Sequence, residues 1–433
     1  MPYKKINLDP ETLEQFQLWN EDTDRLTEYY SGDLNSGILY IGPHYGPRYT
    51  IDSWKNGFGC MSFDEHKACM VPVELCDPPF NIPLLHGGLD DDIGFFVNEI
   101  PLTIRQIVEP VKVHRALILK YIRSNYRTAQ LLTSNPALFL ILMHEISVGN
   151  ISFARGLDLA FRRRREIAGA CGCPPTECTV KTLGRMDTAV CWERASLHSL
   201  CQISRDPKIM TALRHFPTIP EPLVNLLVQW PDLVCCSFFR KDREFYRSIS
   251  DTDQGEKQVH DLLSLREDIK RMAKYLDMEY IDTRFHRMDA VSTVQNFHDH
   301  LINRLNVTLY SDTGRQYVQE NAGEPLFPKP PLMGNRCIVP IMTAQELVKE
   351  GYEMKHCVGS LIESVRNGEC FIYRVLHPER CTVSITTNEY GITIGEIRGK
   401  CNKGVSPTMI KLVNRWMRDE LAAKWETIPD MEF

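Results

Sequence analysis

Residues 370–399 read CFIYRVLHPERCTVSITTNEYGITIGEIRG, and this stretch decides how the C-terminal part of the chain folds. Three runs rich in β-branched and aromatic residues are separated by polar, turn-forming segments. ECFIYRVL, CTVSITT and GITIGEIRG are expected as strands, with PER turning the first into the second and NEYG the second into the third. Upstream, Thr343 followed by Glu346 has the spacing of a capping box and opens a helix through IMTAQELVKEGYEM. After His356 and Cys357, a second helix is expected from about Ser360 to Arg366, stopped by Asn367-Gly368. Downstream, SPTMIKLVNRWMRDELAAKW reads as an amphipathic helix with Pro407 near its first turn. The proline-rich FPKPPLMG is the entry. Residues 327–433 are therefore expected to form an α+β domain holding a three-stranded antiparallel sheet.

Working outward, residues 101–326 read as a large α-helical region. VKVHRALILKYIRSNYRTAQLL places Val111, Leu117, Leu119, Ile122, Tyr126 and Leu131 at near-helical spacing, and Asn135-Pro136 opens the next helix. No fixed-period repeat is present. Residues 1–100 form a mixed α/β N-terminal region, in which LNSGILYIGPHYGPRYTIDSW has the short apolar runs of strands and turns. The expected fold class of the whole chain is α+β.

The 433 residues are 43% hydrophobic and 24% charged, as in soluble globular proteins. A formal net charge of −6 argues against a generally basic protein that coats nucleic acid, without excluding a local basic patch. MPYKKINLDPETLEQF lacks the apolar core of a signal peptide, and PALFLILM (Pro136–Met143) is too short to span a bilayer. With 15 cysteines, the expectation is reduced thiols in a cytoplasmic protein with no membrane contact.

Several residues have the chemistry of a site. Cys357 is placed at a helix N-terminus, which favours a thiolate, with Lys355 and His356 beside it. The nucleophile reading needs a base from elsewhere in the fold, and His377 lies in a hairpin turn. The competing reading is a buried thiol next to a histidine that bonds to backbone. On the third strand Glu396, Arg398 and Lys400 alternate, so they share a face that Arg374 has the parity to join. RGKCNKG, with Asn402, can present donors to an anion. These assignments give His356, Cys357 and Glu396 as candidate catalytic residues, and Arg374, Arg398, Lys400 and Asn402 as candidate ligand-binding residues. Arg162, Arg163, Arg164 and Arg165 form the sharpest basic run, a candidate nucleic-acid surface or a solvated helix face. Cys171, Cys173, Cys178 and Cys191, and Cys60, His66, Cys69 and Cys76, lack paired metal-ligand spacing. His298 and His300 point about 200° apart on a helix, a poor two-ligand arrangement in which one of them can instead cap or pair with another helix. No metal site is expected, and no cofactor is assigned.

The order FPKPPLMG, IVPIMTAQELVKEGYEMKHCVGSLIESVRNGE, FIYRV, PERCTVSI and GEIRGKCN resembles the PcfJ-like family, named from a protein encoded on conjugative plasmids. The family's His-Cys-Val block, V-x-x-G step, Tyr-Arg-Val strand and late R/Q-G-x-x-N element correspond to His356, Cys357, Val358, Val365, Gly368, Tyr373, Arg374, Val375, Arg398, Gly399 and Asn402. The likeness runs over roughly residues 100 to 420 and is strongest over 327 to 405. It implies a bacterial protein associated with mobile genetic elements, and that the His356-Cys357 and Arg398-to-Asn402 segments form one site. It does not supply a reaction. Three functions follow as alternatives. One is a C-terminal domain that binds or processes an anionic ligand, a nucleotide or nucleic acid. The others are an α-helical adaptor for a protein partner, and a cysteine-dependent acyl transferase or hydrolase. Whether the protein is an enzyme is left open.

Overall fold

The computed structural model describes residues 29–426, apart from 34, 43–47, 65, 68, 73–81, 86–90, 188–193, 252–253, 312–326 and 389–390. Two compact units are present. One comprises Met1–Cys235 with Arg243–Val259, the other Cys236–Asp242 with His260–Phe433.

In the first unit, Tyr29–Asp33 (β1), Ile38–Gly42 (β2), Tyr49–Asp52 (β3), Cys60–Asp64 (β4) and Cys69–Pro72 (β5) form an antiparallel meander in chain order. The strands and turns expected in LNSGILYIGPHYGPRYTIDSW are the centre of this sheet. Among the described residues, helices begin at Asp91. Of the helix-spaced residues of VKVHRALILKYIRSNYRTAQLL, Leu117, Leu119 and Ile122 lie on Arg115–Ser124 and Leu131 on Arg127–Ser134; Val111 precedes the first helix, and Tyr126 is exposed between the two, after Asn125 turns extended. Pro136–Ser147 (α1) opens as expected, with Asn135 Oδ1 accepting from the Leu138 amide and Pro136 in the first turn. It is apolar on all sides and buried throughout its centre, as such a helix must be. Among the described residues, no helix is long and apolar enough to cross a membrane.

The second unit holds the remaining elements that position the site. These are Gly255–Tyr275 (α2, from His260 onward), Val291–Tyr310 (α3), Ile338–Pro340 (β6), Ala344–Met354 (α4), Ile362–Arg366 (α5), Cys370–Val375 (β7), Cys381–Asn388 (β8), Gly391–Gly399 (β9) and Pro407–Glu426 (α6). The sheet has four strands in the order β6-β7-β8-β9, not the three expected. The additional strand is three residues long and ends in proline, so it carries no periodic signal. A residue without an N–H is tolerated there because β6 is an edge.

Strand alternation gives the sheet two distinct faces. Tyr373, Val375, Cys381, Val383 and Ile385 lie in one apolar cluster with Met409, Val413 and Trp416 of α6. The other face carries Arg374, Thr382 and Arg398, which sit opposite one another across three strands. The Thr343 side chain caps α4 by accepting from the Glu346 amide at 3.2 Å, as its spacing predicts. Tyr373 is fully buried. Its hydroxyl donates to the Leu332 carbonyl at 2.8 Å and accepts from the Leu332 amide at 3.2 Å, pinning the proline-rich entry to the sheet. Replacing Tyr373 with Phe strands both backbone groups, and the expected loss of stability is about 1–3 kcal/mol. Urea unfolding measures it; an unchanged midpoint would show that this clamp contributes nothing.

Candidate functional site

The His-Cys segment lies where three elements meet. Lys355 adopts a left-handed backbone (φ 53°) and ends α4, turning the chain so that His356 is extended and Cys357–Leu361 forms a 3-10 turn leading into α5. Asn306 of α3 holds this corner, its side-chain amide donating to the Gly351 carbonyl at 3.1 Å and to the His356 carbonyl at 3.5 Å. Residue 351 must be small. A Cβ there would stand 3.1 Å from Asn306 Oδ1 and 3.2 Å from the Gly359 amide nitrogen.

Glu350, one position earlier on α4, is fully buried. Its carboxylate accepts from Arg374 Nε at 2.8 Å, Arg380 Nη2 at 2.5 Å and the Thr382 hydroxyl at 2.6 Å. Burial raises its pKa, but these donors outweigh burial and hold it below the ordinary value. The Thr382 hydroxyl proton is committed to Glu350, so at 2.9 Å from Thr382 Oγ1 it is His356 Nε2 that donates. His356 is thereby fixed with Nδ1 as an acceptor, and buried Nδ1 has no hydrogen-bond partner. Burial pushes the His356 pKa down to about 4 against the pull of Glu350, so the ring is neutral at pH 7.

A cleft of about 50 Å³ opens between this corner and the sheet. His356, Cys357, Thr382, Ser384, Glu396, Arg398 and Asn402 are among its lining residues. Glu396 reaches it through a β-bulge, where the register between β8 and β9 shifts at Val383/Ile385. Its amide donates to Ser384 Oγ at 2.8 Å. Gly395 fits because a Cβ there would lie 2.8 Å from the same oxygen. Arg398 donates to Glu396 at 3.1 Å, and this contact raises its pKa. Cys401 and Asn402 both adopt left-handed conformations (φ 58° and 56°), a local strain of the kind that collects at functional sites.

Behind Cys357 stands a second group. Its thiol donates to Asp268 Oδ2 on α2 at 3.3 Å, and Arg271 Nη2 takes Asp268 Oδ1 at 2.5 Å. His298 of α3 is buried, its Nδ1 3.1 Å from Asp299 Oδ1 and its Nε2 3.5 Å from Asp268 Oδ2 without hydrogen-bond geometry. Burial and the Asp268 carboxylate push the Cys357 thiol well above its ordinary value. The helix-terminus expectation is thus reversed, and a free thiolate nucleophile at neutral pH is disfavoured. Asp268 ends below its ordinary value: burial raises it, and His298, Arg271 and Cys357 lower it further than that.

Of the residues singled out in the sequence, His356, Cys357, Glu396, Arg398 and Asn402 share the cleft. Arg374 lies on the same face; its Nε donates to Glu350, while its buried Nη2 has no hydrogen-bond partner. Lys400 is exposed and leaves the face, because β9 ends at Gly399 and the chain turns into a short 3-10 segment. The amides of Gly399 and Lys403 bond within that turn, to Lys403 and Lys400 carbonyls, and are not available to an anion. Arg162, Arg163, Arg164 and Arg165 are all exposed in the first unit, Arg162 3.5 Å from Asp158 and Arg164 bonded to Ser134. Cys171 and Cys173 are core thiols, and Cys60 is buried. Cys76 and Cys191 lie outside the described residues. Asp268, Glu350 and Ser384 went unread in the sequence. None belongs to a short motif; the pairing of a helical histidine with another helix was the one signal pointing at His298.

Residues 267–410 match the family model described as PcfJ-like protein. The matched span contains α3, α4, the His-Cys corner, the sheet and the cleft between them, and the C-terminal part of α2 that carries Asp268. No curated protein and no solved structure matches the chain.

The buried Glu350 generates a stability test. Its folded pKa is depressed below the ordinary 4.5, so its contribution is complete above that pH and is lost as pH falls through the depressed value. Glu350→Gln leaves two guanidinium groups uncompensated, and a loss of about 3–5 kcal/mol is expected at pH 7, shrinking towards acid pH. Denaturant unfolding across pH measures it; an equal loss at pH 7 and well below pH 4.5 would contradict the assignment.

Proposed function

We propose that the C-terminal unit binds an anionic, phosphate-bearing ligand in the cleft between the His-Cys corner and the sheet, and that this ligand is a nucleotide or a nucleic-acid end. The observation that carries this reading is the donor set gathered around one small space. Arg398 keeps 35% of its side chain exposed and lines the cleft with Asn402 and Ser384. Guanidinium, amide and hydroxyl donors are the groups that recognise phosphate oxygens. Glu396 orients the guanidinium, and neutral His356 lines the same space. The space is small, about 50 Å³. It therefore fits a phosphoryl group, with the remainder of the ligand lying outside. On this reading the protein works in the bacterial cytoplasm with mobile genetic elements, as the family resemblance implies. The exposed Arg162–Arg165 run is proposed as an additional polynucleotide contact, sensitive to salt.

A second reading, an adaptor in which the His-Cys block is structural, is favoured by the Glu350 network, which ties His356 and Arg374 into the core. Arg398 separates the two, because it stands outside that network. Full-length protein is titrated with one single-stranded oligonucleotide carrying either a 5′-phosphate or a 5′-hydroxyl. The phosphorylated strand is expected to bind about 10-fold tighter or better, and Arg398→Ala to abolish the preference while leaving the unfolding midpoint nearly unchanged. Equal binding of both strands by the unaltered protein would remove the phosphate reading. Loss of folding in Arg398→Ala would favour the structural one.

A further inference from the structure

We infer that Asp268, His298 and Cys357 form a zinc-binding site directly behind the cleft. Among the described residues, two groups bring three metal-ligating side chains within 4.8 Å of one another: this one and His144, Glu145 and Cys201. In the latter, Glu145 Oε1 already accepts from Arg205 and Oε2 from Asn150. In the former, Arg271 occupies only the outer oxygen, Asp268 Oδ1, and Oδ2 is turned to Cys357 and His298.

Two donor separations match those of a tetrahedral centre, and the three donor atoms all lie within 4.8 Å of one another. Zinc lies about 2.3 Å from sulfur and about 2.0–2.1 Å from nitrogen or oxygen, which separates neighbouring donor atoms by about 3.3–3.5 Å. The Sγ–Oδ2 separation is 3.3 Å and the Nε2–Oδ2 separation is 3.5 Å. His298 is 3% exposed, and its Nε2, aimed at this point, has no hydrogen-bond partner. Its other nitrogen faces Asp299 Oδ1 at 3.1 Å, the carboxylate partner that fixes the tautomer of metal-bound histidines. A sulfur, a nitrogen and a carboxylate oxygen together suit zinc better than magnesium or calcium, which prefer all-oxygen sites. On binding, the Cys357 thiol loses its proton to solvent, and the thiolate and the Asp268 carboxylate together balance the two charges of the ion. Three protein ligands leave a fourth position for a water or ligand oxygen, as in catalytic rather than structural zinc centres. Cys357 also lines the cleft, so the ion and the phosphate space share one wall. The metal assignment does not rest on the phosphate reading, since it uses none of Arg398, Asn402 or Ser384.

The test uses the full chain and metal alone. Purified protein is stripped with a chelator, confirmed folded, and reloaded with zinc or with cobalt(II) as a spectroscopic substitute. About one equivalent per chain is expected, with a thiolate-to-cobalt charge-transfer band in the near ultraviolet. Cys357→Ser is expected to lose that band, and Asp268→Asn and His298→Gln to weaken zinc binding at least 10-fold, while Cys401→Ser leaves both unchanged. Absence of a thiolate–cobalt band in the folded, unsubstituted protein would overturn the assignment. A band that survives Cys357→Ser would do the same. Because the first readout uses the unsubstituted protein, a variant that fails to fold does not protect the assignment.

Discussion

A carboxylate with no solvent contact organises this site. Glu350 sits in the interior at the end of α4, and an isolated buried charge there would cost several kcal/mol. Two arginines and a threonine from β7, the β7–β8 turn and β8 converge on it. That convergence locks α4 against one face of the sheet and fixes where the helix ends. The left-handed residue that follows then delivers His356 and Cys357 to the edge of the cleft. The same threonine that donates to Glu350 accepts from His356, so one hydrogen bond sets the tautomer of the next. The opposite face of the sheet is closed by α6 on an apolar cluster, which leaves the polar face turned to Glu350 and the His-Cys corner.

Each element around the cleft does separate work. α3 supplies the asparagine that holds the corner and the histidine behind it. α2 supplies Asp268 and its orienting arginine. β8 and β9 supply the hydroxyls, the bulged glutamate and Arg398. The chemistry at the two ends differs: hydrogen-bond donors at the open end, and soft and hard metal ligands at the closed end. Cys357 belongs to both, and its raised pKa makes it a poor nucleophile but a suitable ligand once a cation compensates the thiolate.

Much of this was legible in the sequence. The capping pair Thr343 and Glu346, the strand runs from Cys370 to Gly399, and the Asn135-Pro136 helix start are local signals, and local physics determines them. The common position of Cys357, Arg398 and Asn402 followed from the family likeness combined with strand parity. What the sequence did not reveal is non-local. Asp268 is 89 residues from Cys357, and its contact depends on the path of two helices. Arg374 has the parity of a ligand residue, but only the position of α4 shows that its Nε is held by Glu350. Lys400 continues the alternation on paper, yet the strand ends one residue earlier. β6 is too short to have any pattern at all.

The central claim is that the cleft holds a ligand rather than completing a core. The most direct measurement is to purify the full chain and its Arg398→Ala variant from a native-like bacterial host and identify by mass spectrometry what small molecule or nucleic acid each retains. A phosphate-bearing species is expected on the unaltered protein and is expected to be missing from the folded variant. The same species retained in equal amount by both would contradict it.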